Sequence, residues 1–182
     1  MELSERVTRA LDGLGSQDLA SRVNAVEELA TCSSDIAGRV ASLFEADEEA
    51  RFLIFERLGR FGSPMVKHVE RIYRESKDPD LRLMSASALI YMGSNIGVPS
   101  LMAAVEAGNP KLCMAAISLS SAGVSEAAAQ IEDVLLECDL SDVQTLDCLT
   151  TALRRLKHQV REEVRHRLSQ VEPTWLRDSL LG

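Results

Sequence analysis

Histidines, cysteines and neighbouring acids are the side chains of this chain that could do chemistry. His158 and His166 lie eight residues apart with Glu162 midway, a spacing that would align all three on one helical face. Two helical turns separate the histidines, too far for one metal ion unless Glu162 completes a His-Glu-His set. Solvated helix surface is the plainer reading, and no metal is expected. Adjacent carboxylates at Glu132–Asp133 and Glu162–Glu163 could be imagined as an acid–base couple. Consecutive helical residues diverge by about 100°, however, and no pocket-forming motif accompanies either pair. Cys32, Cys113, Cys138 and Cys148 are irregularly spaced with no C-x-x-C pair, which argues against a zinc site and indicates no disulfide framework. Small buried thiols are the expectation. Ser118, Ser120 and Ser121 read as packing or capping residues. With no Gly-rich phosphate loop, nucleophile elbow or H-E-x-x-H motif, the chain is expected to be neither an enzyme nor a cofactor carrier.

What must position these residues is a set of helices. The 182 residues are 46% apolar but only 4% aromatic, and Leu, Ala and Val carry the hydrophobicity, which favours helix packing over a sheet sandwich. There are 28 acids against 20 Lys and Arg, a net charge of −8 that disfavours non-specific nucleic-acid binding and suits a basic partner. Acidity that serves only solubility fits equally. The N-terminal Met1-Glu2-Leu3-Ser4-Glu5-Arg6 is charged and lacks an apolar run, so no export signal is expected. The longest weakly polar stretch, Val98 to Val105, is too short for a bilayer. A cytoplasmic protein without membrane contact is expected.

Self-similarity with a period near thirty is the main signal. Segments 18–46, 47–77, 78–107, 108–137 and 138–169 align in columns. Val23, Phe52, Leu83, Cys113 and Val143 form the first. Val26, Phe55, Ala86, Ala116 and Leu146 follow, then Leu29, Leu58, Leu89, Leu119 and Leu149, then Cys32, Phe61, Met92, Ala122 and Ala152. The spacing of three places these columns on one helical face. Asp18, Asp47 and Asp78 each precede an arginine by four residues (Arg22, Arg51, Arg82), an arrangement that favours the helix start and lets the arginine reach a neighbouring repeat's helix start. Leu112 and Asp142 break the arginine column. Gly59, Gly62, Gly93, Gly97 and Gly123 follow first helices, and Pro64 and Pro99 open second ones. Sparser stripes mark the second helices, such as Val40 with Leu43, Val69 with Ile72, and Val160 with Val164. No window alternates as a strand would.

A helix pair of this size cannot bury its own apolar face, so successive pairs must stack. The expected fold is all-α: an α-solenoid of about five two-helix repeats in one domain spanning 1–182. Residues 1–17 would cap it through Leu3, Val7, Leu11 and Leu14. Residues 170–182 would close it, with Pro173 beginning a short helix and Trp175, Leu176 and Leu180 covering the last repeat.

The run Asp78-Pro79-Asp80-Leu81-Arg82, followed by Ala86, Ala88-Leu89 and Gly93, resembles the HEAT-repeat signature. It is most similar to the short repeats of phycobilisome-lyase-like HEAT proteins, and the resemblance covers roughly residues 18–170. It implies a right-handed superhelix with first helices outside and second helices lining a concave groove, and protein binding as the usual role. The motif is structural and brings no catalytic residues. A phycobilin-lyase-like enzyme subunit is one specialised use of the fold, and no residue here argues for it.

Register from the second-helix stripes gives the groove-facing positions. One column is Arg39, His68, Ser100, Gln130 and Gln159; another is Ser42, Arg71, Ala103, Asp133 and Glu162. Between Leu112 and Leu153 no lysine or arginine occurs among seven acids, Glu137 included, after which Arg154, Arg155, Lys157, Arg161, Arg165 and Arg167 form a basic end. Expected partner contacts are therefore Arg39, His68, Arg71, Ser100, Ala103, Gln130, Asp133, Glu137, Gln159 and Glu162. Two roles fit: an adaptor or assembly factor, or an acidic immunity-type inhibitor of a basic toxin. A nucleic-acid-binding array is the alternative class and would need a basic concave face with aromatics.

Overall fold

A computed structural model describes residues 2–172 and 174–181, the side chains of Leu176, Leu180 and Leu181 excepted. The described residues are helical with no strand. No helix among them is long and apolar enough to cross a membrane. The chain packs as two compact units, Met1–Ile72 and Tyr73–Gly182.

The first unit holds α1 (Leu3–Leu14), α2 (Leu19–Ala46), α3 (Glu48–Phe55), a 3-10 turn (Leu58–Phe61) and α4 (Ser63–Glu75), within which the boundary falls. Asp18 and Asp47 cap α2 and α3, their carboxylates accepting from the Ser21 and Ala50 amides at 2.9 Å. Segment 18–46 departs from the expected helix pair: α2 runs unbroken for 28 residues. It contains no proline, and its one glycine, Gly38, stays helical against the ring of His68. Without a breaker the ladder of backbone bonds continues.

The length of α2 changes which face is buried. Ala25 and Cys32 are covered in its first half, Ala37, Ala41 and Phe44 in its second, while Val26 of the expected stripe is 57% exposed. Helix α1 buries Ala10 and half-buries Leu3 and Val7, whereas Leu11 and Leu14 are exposed. In the next segment Leu58 is buried but Phe52 is 61% exposed. Arg51 does reach another helix, but at its end rather than its start, donating to the Phe44 and Glu45 carbonyls that close α2 at 3.1 and 3.0 Å. A guanidinium is a donor only, so it complements carbonyls, not amides.

The second unit holds α5 (Pro79–Tyr91), a 3-10 turn (Asn95–Gly97), α6 (Val98–Glu106), α7 (Leu112–Ser121), α8 (Ala127–Glu137), α9 (Val143–Arg155), α10 (Glu162–Leu168) and α11 (Thr174–Leu181). Here the two middle columns are buried throughout, whereas Val143 of the first and Ala122 of the fourth are exposed. Leu89, Leu119 and Leu149 are fully buried at equivalent places in α5, α7 and α9, each burial contributing about 1.5–3 kcal/mol. Helix α7 packs on both α5 and α9, and α8 packs on both α6 and α10. Ser85, Ser87, Ser118 and Ser120 are buried on α5 and α7, with a Ser87–Ser118 hydroxyl bond between the two helices.

A recurrent C-terminal cap marks the same repeat. After α5, α7 and α9 the chain turns through Gly93 (φ 84°), Gly123 (φ 70°) and Lys157 (φ 52°). In each case the next amide donates back to a leucine carbonyl: Ser94 to Leu89, Val124 to Leu119, His158 to Leu153. Lys157 is the only non-glycine among the described residues at positive φ, where a Cβ costs about 1–2 kcal/mol. Lys157→Gly is therefore expected to raise stability by about 0.5–1 kcal/mol in urea unfolding; a loss would show that its side chain, not its backbone, matters here.

At the C-terminal end, Trp175 does not plug the last repeat: it is 69% exposed. Val171, fully buried, closes the core instead. Pro173 and the side chains of Leu176 and Leu180 lie outside the described residues.

Candidate functional site

The expected partner contacts divide between the two units. In the first, Arg39 and His68 come together along a cleft of about 780 Å³ that Arg6, Ser34, Asp35 and Ser42 also line. Arg6 is held there by Glu28 and Asp35, each at 2.6 Å, and these bonds, Glu28 first, keep its guanidinium firmly protonated. Arg71 pairs with Glu45 at 2.7 Å.

In the second unit Ala103 and Glu137 are exposed, while Ser100 is half-buried and bonded to the Tyr73 hydroxyl at 2.7 Å. Gln130 is half-buried, and its Oε1 is enclosed without a hydrogen-bond partner. Asp133 is exposed but engaged, taking the Arg161 guanidinium at 2.6 Å. Gln159 and Glu162 depart from the expected mid-helix positions. Residues 158–161 are not helical, so Gln159 lies in a loop and Glu162 begins α10. The αL turn at Lys157 ends α9 and re-aims the chain.

That loop is tied down by an acid whose role spacing does not reveal. Glu132 on α8 is only 2% exposed. Its Oε1 accepts the Arg161 backbone N–H at 2.6 Å, and its Oε2 takes the Arg161 Nε at 2.8 Å; His158 Nε2 lies 3.3 Å from Oε2 without a hydrogen bond to it. The hydrogen bond to Asp133, opposed by desolvation and reinforced by Glu132, raises the Arg161 guanidinium above its ordinary value. Glu132, Asp133 and Arg161 thus form one clamp from α8 onto the start of α10. His158 faces Glu132 instead of joining Glu162 and His166 as a ligand set. Among the described residues no group of three or more His, Cys, Asp or Glu is placed to hold a metal ion.

Three further arginines of the basic end are likewise engaged within the chain. Arg167 donates to the Leu135 and Cys138 carbonyls at the end of α8, at 3.2 and 2.6 Å. Arg155 reaches the Ser121 hydroxyl at 3.2 Å, and Arg154 reaches the Ser179 carbonyl at 3.1 Å. These side chains fasten neighbouring helices.

A second grouping was not legible from spacing. Cys148 of α9, against desolvation and with Thr145 acting the same way, lowers the thiol of Cys113 on α7 to about 7; the two α9 residues are three apart and share a face. No protein-family model, curated protein or solved structure matches this chain.

Proposed function

We propose that this chain is a non-catalytic protein-binding module of the HEAT-like α-solenoid class. It would present the second helices α6 and α8, with the start of α10, to a basic partner protein. The observation that carries the reading is the repeated relation of helices in the second unit. There α5, α7 and α9 pack in succession, α6, α8 and α10 do the same, and the leucine column and αL caps recur with them. Such a row leaves one side of each second helix uncovered, and here that side carries Ala103, Asp133, Glu137 and Glu162, all exposed. Small and acidic side chains together admit close approach and fix the register of a basic surface.

Adaptor and immunity-type inhibitor remain the two roles within this class. Engagement of Arg154, Arg155, Arg161 and Arg167 inside the chain weighs against a nucleic-acid interface, which needs free cations. The test substitutes Ala103→Arg and Glu137→Lys, two exposed positions with no internal bond to lose. Affinity capture from the native host should recover a basic protein with the unaltered chain. Its affinity should fall at least about tenfold in the double variant, with an unchanged helical circular dichroism spectrum. Equal binding by both chains would remove the second-helix surface from the reading.

A further inference from the structure

The first half of α2 carries an apolar stripe left bare. Leu19, Val23, Val26 and Ala30 recur at helical spacing on one side, and all four are exposed. They face away from α1, whose Gly13 stands against the buried Ala25. A second bare patch lies on α3, where Phe52 and Leu53 are exposed. The repeat columns relate the two, since Val23 corresponds to Phe52 and Val26 to Phe55. In the second unit Leu83, Ala86, Ala116 and Leu146 hold the corresponding places and are buried, with α5 packed on α7 and α7 on α9.

Length keeps the two faces of the first unit apart. From Val26 to Asp47 helix α2 runs about 31 Å without a break, whereas the eight residues of α3 span about 12 Å. Even folded straight back, α3 cannot reach the stripe at the start of its own α2. The face that the columns assign to that stripe must come from another molecule. We infer that the first unit pairs with a second copy of this chain, the start of α2 in each packing against α3 of the other in a two-fold exchange.

Charge favours that occupant. In the second unit the pairing of α5 with α7 carries an ion pair at its start, Lys111 to Asp80 at 3.3 Å. In the columns Asp80 corresponds to Ala20 and Lys111 to Ala50, and seven residues on from those stand Glu27 and Arg57. Seven residues make about two turns, so both stay on the side where the Lys111–Asp80 pair forms. Glu27 of one copy thus meets Arg57 of the other, just past the end of α3. Both are exposed. Arg57 bonds within its own turn, to Glu56 at 3.1 Å and to the Leu53 carbonyl at 3.2 Å, contacts that an exposed guanidinium can exchange. The dimer forms two such pairs, each beside one meeting of the α2 stripe with Phe52 and Leu53.

Sedimentation velocity over a roughly hundredfold range of concentration tests the exchange. Wild type should pass from the chain mass to twice that mass. Val26→Lys should keep the chain mass where wild type is dimeric, with an unchanged helical circular dichroism spectrum, because Val26 is exposed already. Glu27→Arg and Arg57→Glu, taken singly, set like charges together at both contacts of the dimer and should each weaken association about tenfold. Mixed in equal amounts, these two variants should pair as tightly as wild type, since one contact then carries the charges reversed and the other is native. Pairing of α2 with α2 would ignore Arg57→Glu and gain nothing from mixing. Wild type that stays monomeric throughout, a dimer indifferent to Val26→Lys or to Arg57→Glu, or a mixture no tighter than its components would each overturn the inference.

Discussion

Gly97→Ala is expected to destabilise the chain by about 2–3 kcal/mol, through space alone. Gly97 ends the 3-10 turn before α6 with φ −81°, a conformation alanine adopts freely. A Cβ built there would lie 2.5 Å from the Ala86 carbonyl oxygen, 2.7 Å from its Cα and 2.8 Å from its Cβ. Two of those atoms are backbone and cannot rotate aside, so α5 itself would have to move. For a chain of this length the loss corresponds to roughly 5–10 °C in melting temperature. Gly93→Ala supplies the contrast, because nothing lies within 4 Å of its Cβ while its φ is 84°. It should cost about 1 kcal/mol from backbone strain. Removing the Ala86 methyl would relieve only one of three contacts, so Ala86→Gly should rescue Gly97→Ala incompletely. A thermal melt of Gly97→Ala that overlays wild type would mean the turn does not approach α5 as described.

How far sequence carried can be judged from particular residues. Leu89, Leu119 and Leu149 were legible as core because a leucine at a fixed point of each repeat has one apolar face to occupy and a like neighbour on either side. The caps at Asp18, Asp47 and Asp78 were legible because capping is local. Failure came where the deciding contact is distant or where a breaker is missing. Periodicity marked Val23 and Val26 as apolar but could not say which neighbour covers them. With no turn inside α2, they remain exposed. Gln159 was placed on a helix because a lysine in the αL conformation has no sequence signal comparable to glycine. Cys113 and Cys148 have no relation by spacing, and only the packing of α7 on α9 brings their helices together. Glu132 was set aside with Asp133 since neighbouring helical residues diverge. That divergence is what lets one carboxylate turn inward to the Arg161 amide while the other meets its guanidinium from outside.

That division of labour predicts unequal costs for the two acids. Glu132→Ala removes the acceptor of the Arg161 amide and of its Nε from an enclosed site, so about 2–4 kcal/mol should be lost, read as a lower urea midpoint. Asp133→Ala removes a partner that is 67% exposed, from an arginine that is 42% exposed. Solvent screens that pair, and the cost should be under about 1 kcal/mol. Glu132→Gln keeps an oxygen for the amide while losing the charge, so it should fall between the two. Arg161→Ala should exceed Asp133→Ala, because it leaves the buried Glu132 carboxylate with the backbone amide of residue 161 and with His158 but without the guanidinium. In a double-mutant cycle the Glu132–Arg161 pair should therefore couple strongly and the Asp133–Arg161 pair weakly. The loop carrying Gln159 leads from Lys157 into this clamp, so amide hydrogen exchange at residues 158–161 should quicken in Glu132→Ala and change little in Asp133→Ala. Equal losses from the two alanine substitutions would mean that Glu132 does not anchor the start of α10. The exposed acid would then bear as much of the clamp as the buried one.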